Sequence, residues 1–188
     1  MPVAMTAAAV AIATLSFAAL KPLAAIVSCA LGFAMLAITV SDARRFIVPD
    51  VLSLPAIPAG LLAAMFLGDD TGAGGAPLMH LAAAALGAAI FYAIRRIYFR
   101  LRGRHGLGLG DVKLAAVAGA WTGFEGLSMV LLFATTAAIG WVLVRSIGTG
   151  RPLDRAAAIP FGAFLAPAIW LTWWLMASGI GAIGSGAI

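Results

Sequence analysis

Apolar runs, most of them long enough to cross a lipid bilayer, follow one another along this chain with only short polar breaks between them. A spanning helix needs about 20 mostly apolar residues to cross a hydrocarbon core roughly 30 Å thick. The runs fall at residues 3–20, 23–40, 51–67, 77–94, 112–122, 127–144 and 161–176. Hydrophobic residues make up 63% of the 188 residues and charged ones 10%, whereas soluble domains carry about 25% charge. The chain therefore predicts an all-α, polytopic membrane helix bundle of six to seven transmembrane helices. Residues 1–188 form one membrane-embedded domain, with a flexible Gly-rich tail over 177–188.

The first run resembles a signal peptide in length. It lacks a basic start, however, and Lys21-Pro22 leads directly into another apolar run rather than a soluble domain. The second run is rich in small residues that let helices pack closely in lipid. Pro49 turns the chain, and Asp50 sits where an N-cap would stand ahead of the third span. Pro55 and Pro58 interrupt that span and predict a kink. The fifth run is short, so a short or bent helix is expected, followed by a turn over 123–126. His80 reads as an interfacial side chain near a helix start. Trp170, Trp173 and Trp174 read as an interfacial belt, and the lone Cys29 as a small packing residue.

Charge assigns the sides. Seven alternating spans place the 42–50, 95–111 and 145–158 segments together, and these with Lys113 hold 11 of the 12 basic residues. The opposite side holds Lys21, Asp69, Asp70 and Glu125. The positive-inside bias makes the basic side cytoplasmic, with the N-terminus inside and the C-terminus outside. The net charge of +5 thus reflects topology rather than nucleic-acid binding. The basic stretch 95–104 either fixes topology or also attracts anionic lipid.

At the cytoplasmic side lies Gly106-Leu107-Gly108-Leu109-Gly110-Asp111. An ionisable residue at the mouth of a membrane helix is costly and is a functional candidate by default. Asp42, at the end of the second span, lies at the same depth although it is 69 positions away. Two carboxylates in a semi-dry site do not both ionise easily, so the pair can share one proton. One then takes a proton from water while the other polarises a carbonyl, as in aspartic proteases. The glycines give Asp111 close backbone approach and leave room for an extended substrate chain.

Other chemistries fit less well. Cys29, His80 and His105 have no metal-ligand spacing, so neither a metal nor another cofactor is expected. Ser41 has no nearby His. The glycine run departs from a dinucleotide fingerprint at Asp111. Structural alternatives stand beside the catalytic reading. Asp42 is a helix-end acid next to Arg44 and Arg45, Asp50 an N-cap, and Asp154 a loop partner of Arg151 or Arg155. Lys113 snorkels, faces phosphate or tunes Asp111. A different class of function, a proton-coupled transport or assembly subunit, also uses membrane carboxylates.

Three blocks occur in order: Asp42 with Pro49-Asp50; Gly108-Leu109-Gly110-Asp111-Val112-Lys113-Leu114; and Ile159-Pro160-Phe161-Gly162 continuing to Pro167. Together they resemble the type IV prepilin leader peptidases, of the GxGD class of membrane aspartyl proteases, over roughly residues 24–170. The resemblance implies that Asp42 and Asp111 are the catalytic pair. It also implies that Gly108, Gly110, Lys113, Pro49, Asp50, Pro160, Phe161 and Gly162 shape the site or bind substrate. The implied substrates are prepilin or pseudopilin precursors, cut after a short basic leader, in the bacterial inner membrane with the site facing the cytoplasm. Longer members carry an insert with paired Cys-x-x-Cys motifs and also N-methylate the new amino terminus. One cysteine and no room for that insert lead to the expectation of peptidase activity without methylation.

Overall fold

The computed structural model describes residues 2–71, 77–103, 106–149 and 160–180. It is all helical among them: α1 Pro2–Ala19, α2 Pro22–Arg45, α3 Asp50–Thr71, α4 Pro77–Arg102, α5 Leu109–Thr149 and α6 Gly162–Ala177. By length and composition α2, α3, α4 and α5 can cross a membrane, while α1 and α6 are shorter apolar helices.

The fifth helix is two helices in sequence order. Gly123 interrupts it with φ 61° and ψ −163°, a conformation essentially confined to glycine. The chain reverses there. Gly87 of α4 lies against Ala115, before the break, and Leu127, after it. Trp141, further along the second segment, packs on Phe164 in the first turns of α6 with ring centroids 6.0 Å apart. The expected four-residue turn over 123–126 is thus a single residue, with helix resuming at once.

The segment before Gly123 is the centre of the bundle. Leu114, Ala115, Val117, Ala118, Ala120, Trp121 and Thr122 are all buried, as expected of a helix apolar on every face. This explains its shortness, since a helix shielded by its neighbours need not match the bilayer thickness. α3, α4 and α6 pack around it, α2 covers α6, and α1 covers α2. Small residues set the closest approach: Gly119 of α5 lies against the backbone of Ala83 and Ala84 on α4.

Several expectations shift. Helices outrun the apolar spans, most clearly α4, which continues through the basic stretch to Arg102. Hydropathy marks where lipid contact ends, not where backbone hydrogen bonding ends. Pro55 and Pro58 both lie inside α3, as the expected kink requires of a continuous span. Trp173 and Trp174 are buried rather than forming a belt. Trp173 meets Trp121 edge-on at 5.6 Å, and the Trp174 indole N–H donates to the Leu15 carbonyl at 3.2 Å. His80 is also buried, held at 3.1 Å from the Ala120 carbonyl. Arg104, Arg151, Asp154, Arg155, His105 and most of the tail lie outside the described residues.

Candidate active site

The C-terminal end of α2 and the N-terminal ends of α3, α5 and α6 converge at one end of the bundle. Asp42 lies in the last turn of α2, which closes at Phe46 in the left-handed region with its N–H on the Asp42 carbonyl, 2.9 Å away. Ser41 donates to the Ile47 carbonyl at 2.8 Å and folds residues 46–49 back onto the helix end. Val48 is consequently buried, and its side chain fills the space over Gly110, where a Cβ would come within 2.5 Å of Cγ2. The loop after α2 is in this way keyed to the glycine motif.

Each glycine of that motif meets a different neighbour. A Cβ on Gly106 would strike the Tyr98 ring at 2.8 Å, one on Gly110 would strike Val48, and one on Gly108 would lie 3.3 Å from the Asp111 carboxylate. The room that glycine leaves is taken by the chain's own groups. Arg95 of α4 donates to the Leu107 carbonyl and ties the motif to the end of the fourth helix. The Gly108 N–H donates to Asp111 Oδ2 at 3.1 Å, which fixes the carboxylate at the first turn of α5.

α6 completes the site. The Ala163 N–H, at the start of that helix, is shared between Asp42 Oδ2 at 2.8 Å and the Pro160 carbonyl at 3.2 Å, with the carboxylate the nearer acceptor. Gly162 stands against both acids. A Cβ there would come within 2.9 Å of Asp42 Oδ2 and 3.3 Å of Asp111 Oδ1. The two carboxylates therefore approach one point from two different helices. Asp42 is 6% and Asp111 8% exposed, so each is nearly shut off from solvent yet open at an edge. Pro160 and Phe161 supply the carbonyls that begin α6, accepting from Ala163 at 3.2 Å and from Phe164 and Leu165 at 3.0 Å.

The remaining residues singled out in the sequence fall one layer outward. Asp50 is the first residue of α3, and the Pro49 carbonyl, not the Asp50 side chain, takes the first helical bond, from Ser53 at 3.0 Å. Asp50 instead forms an ion pair with Lys113, which replaces the N-cap role and ties the start of α3 to the second turn of α5. Arg95, Tyr98 and Val48 join the site without belonging to any of its sequence motifs, and the Ala163 N–H joins it through backbone alone. A backbone donor carries no side-chain signature, and Arg95 is one of several arginines in a basic run.

Two nearly buried carboxylates set against one glycine do not both ionise easily and can share a proton. Residues 29–143, which include both aspartates, match the family model described as the type IV leader peptidase family. The chain is 33% identical over 145 residues to the prepilin leader peptidase/N-methyltransferase of Aeromonas hydrophila, covering 75% of this chain and 46% of that protein. It is 35% identical over 130 residues to the protein of the same name from Xanthomonas campestris pv. campestris, covering 69% and 43%. Against the one from Burkholderia pseudomallei it is 36% identical over 148 residues, covering 76% and 44%. The chain thus spans about half the length of the curated relatives it matches. No solved structure matches it.

Proposed function

The chain belongs to the type IV leader peptidase family, and on that premise we propose that it is an intramembrane aspartic endopeptidase that removes the leader peptide from prepilin or pseudopilin precursors. The observation that carries the reading is the convergence of Asp42 and Asp111 on Gly162. One carboxylate, ionised, takes a proton from a water as the water oxygen attacks the scissile carbonyl carbon. The other, protonated, gives its proton to the carbonyl oxygen. Collapse of the tetrahedral species breaks the C–N bond, and a proton passes to the leaving amine. No covalent enzyme intermediate forms.

The charge census supports a cytoplasmic site. Arg44, Arg45, Arg95, Arg96, Arg100 and Arg102 all lie at or near the helix ends beside the aspartates, on the side that retains positive charge. A basic leader would be held on that side before cleavage, in a bacterial inner membrane. A proton relay places its acids near the bilayer midplane, whereas these two sit at one end of the bundle, which favours the peptidase over a transport subunit.

The test is co-expression with a prepilin precursor, scoring leader removal for the wild type, Asp42→Asn and Asp111→Asn. The wild type is expected to cut and neither variant is expected to do so, while all three insert equally. Unimpaired cleavage by either variant would sink the two-aspartate mechanism.

A further inference from the structure

We infer that the groove between α2 and α3 is the docking site for the apolar helix of the precursor. The groove is apolar and about 600 Å³ in volume. Val51 lines it at the aspartate end and Leu67 at the other. The rise of α3 between these residues is about 24 Å at 1.5 Å per residue, roughly four-fifths of the 30 Å hydrocarbon core. Its rim residues Leu23, Leu62 and Phe66 are exposed, so it opens sideways, towards lipid, rather than being enclosed.

The walls favour a helix over a lipid chain. Midway along, they are Ala30 and Ala34 on α2 and Ala59 and Ala63 on α3, each pair one helical turn apart. Small side chains at that spacing let another helix backbone come close, whereas a thin, flexible acyl chain needs no such wall. The floor is fixed. The Trp121 indole N–H donates to the Ala56 carbonyl at 2.7 Å, and its ring fills the space over Gly60.

The position of the groove selects the occupant. The inference rests on the peptidase reading, in which the bond to be cut lies between a basic leader and an apolar helix. A substrate held at Asp42 and Asp111 must run its helix across the bilayer from that point. The groove begins there: Val51 follows Asp50, which is paired with Lys113, two positions beyond Asp111.

The probe is a precursor built from a short basic leader, a Gly and an apolar segment of about 20 residues, in membranes holding the full chain. Asp42→Asn keeps the precursor uncut, and Cys29→Ser removes the native thiol. In that background, with a mild thiol oxidant added to the membranes to take up the two electrons, Ala59→Cys is expected to form a disulfide with a cysteine placed in the apolar segment. Ala137→Cys, exposed on α5 and outside the groove, is expected not to. Equal cross-linking from both positions, or capture only of a second copy of the chain, would overturn the assignment. In the otherwise wild-type chain, Ala59→Trp is expected to lower kcat/KM on the anchored precursor about tenfold, and Ala137→Trp less than about twofold. Equal losses, or none, would also overturn it. If the wild type leaves the precursor uncut while the Ala59→Cys disulfide forms, the peptidase reading fails and the groove still binds an apolar helix.

Discussion

Ala163 gives its backbone N–H to Asp42 Oδ2 at 2.8 Å across 121 positions of sequence, and the residue before it, Gly162, stands against both that carboxylate and Asp111. A methyl group at position 162 would sit 2.9 Å from Asp42 Oδ2 and 3.1 Å from its Cγ. The carboxylate must then move and loosen its bond to Ala163. Gly162→Ala is expected to insert and fold normally, because the new contacts are to side-chain atoms. A displacement near 1 Å at reacting groups costs about a hundredfold in rate. Leader cleavage by purified protein in detergent, read beside its thermal unfolding, checks this. A fully active Gly162→Ala would show that the site tolerates a different carboxylate placement.

On the proposed mechanism Asp42 has a catalytic role beside its observed bond to Ala163, and the choice of substitution divides the two. Asn retains an oxygen that accepts from Ala163, so Asp42→Asn is expected to leave stability nearly unchanged while removing cleavage by at least about a thousandfold. Ala removes the acceptor as well and is expected to cost up to about 1 kcal/mol more, since the Ala163 N–H then keeps only its longer bond to the Pro160 carbonyl. If the two acids act as one unit, as proposed, the Asp42→Asn/Asp111→Asn double variant is expected to be no slower than either single one. Progressive losses that multiply would contradict a shared role.

The helix bundle and the end at which Asp42 and Asp111 meet were legible in the sequence because hydropathy and arginine placement are properties of whole segments. Asp42 and Asp111 were brought to one face by that argument alone. What lay beyond reach was contact-specific. Gly123 reads as the start of an ordinary turn, and only its neighbours reveal that one residue reverses the chain. Asp50 looks like an N-cap until Lys113, 63 positions on, is brought beside it. Trp173 and Trp174 follow the composition of an interfacial belt, yet their rings have partners inside the bundle.

The Asp50–Lys113 ion pair is partly exposed, with side chains 59% and 31% accessible. Pairs of this kind contribute roughly 0–1 kcal/mol and are screened by salt. Asp50→Asn and Lys113→Gln are each expected to lower the unfolding free energy by less than about 1 kcal/mol. The double variant is expected to lose no more than the worse single one. A double-mutant cycle at low and high salt checks this, and a coupling well above about 1 kcal/mol would mark a desolvated pair instead.

Gly119 is expected to be the least replaceable small residue of the α4–α5 contact. An added Cβ would fall well inside 3.0 Å of the Ala83 carbonyl and the Ala84 nitrogen, and a helix backbone cannot rotate away as a side chain can. Overpacking of this kind costs about 1–3 kcal/mol. Gly87→Ala, which meets the Ala115 carbonyl at 2.7 Å, is expected to act on the same contact. Once one variant has separated the helices, the second is expected to add less than its own cost. Unfolding of both singles and the double in detergent tests that coupling, and strict additivity would mean that the two glycines report on independent contacts.

The reversal at Gly123 leaves carbonyls of the preceding turn without their usual helical donors, and His80 answers one of them. Its Nδ1 lies 3.1 Å from the Ala120 oxygen, and since a carbonyl only accepts, the ring carries its proton on that nitrogen. The ring also lies over Gly123, where a Cβ would come 3.4 Å from Nε2. His80→Ala is expected to cost about 1–3 kcal/mol for the buried acceptor left unpaired. Gly123→Ala is expected to cost a similar amount, roughly 1–3 kcal/mol, through backbone strain. Both act at the end of the bundle opposite the aspartates, since α5 runs from Asp111 at its first turn to Gly123. At temperatures where the variants remain folded, kcat/KM for leader cleavage is therefore expected to stay within about twofold of the wild type. A large loss of activity in a folded His80→Ala protein would instead mean that the central helix transmits strain along its length to Asp111.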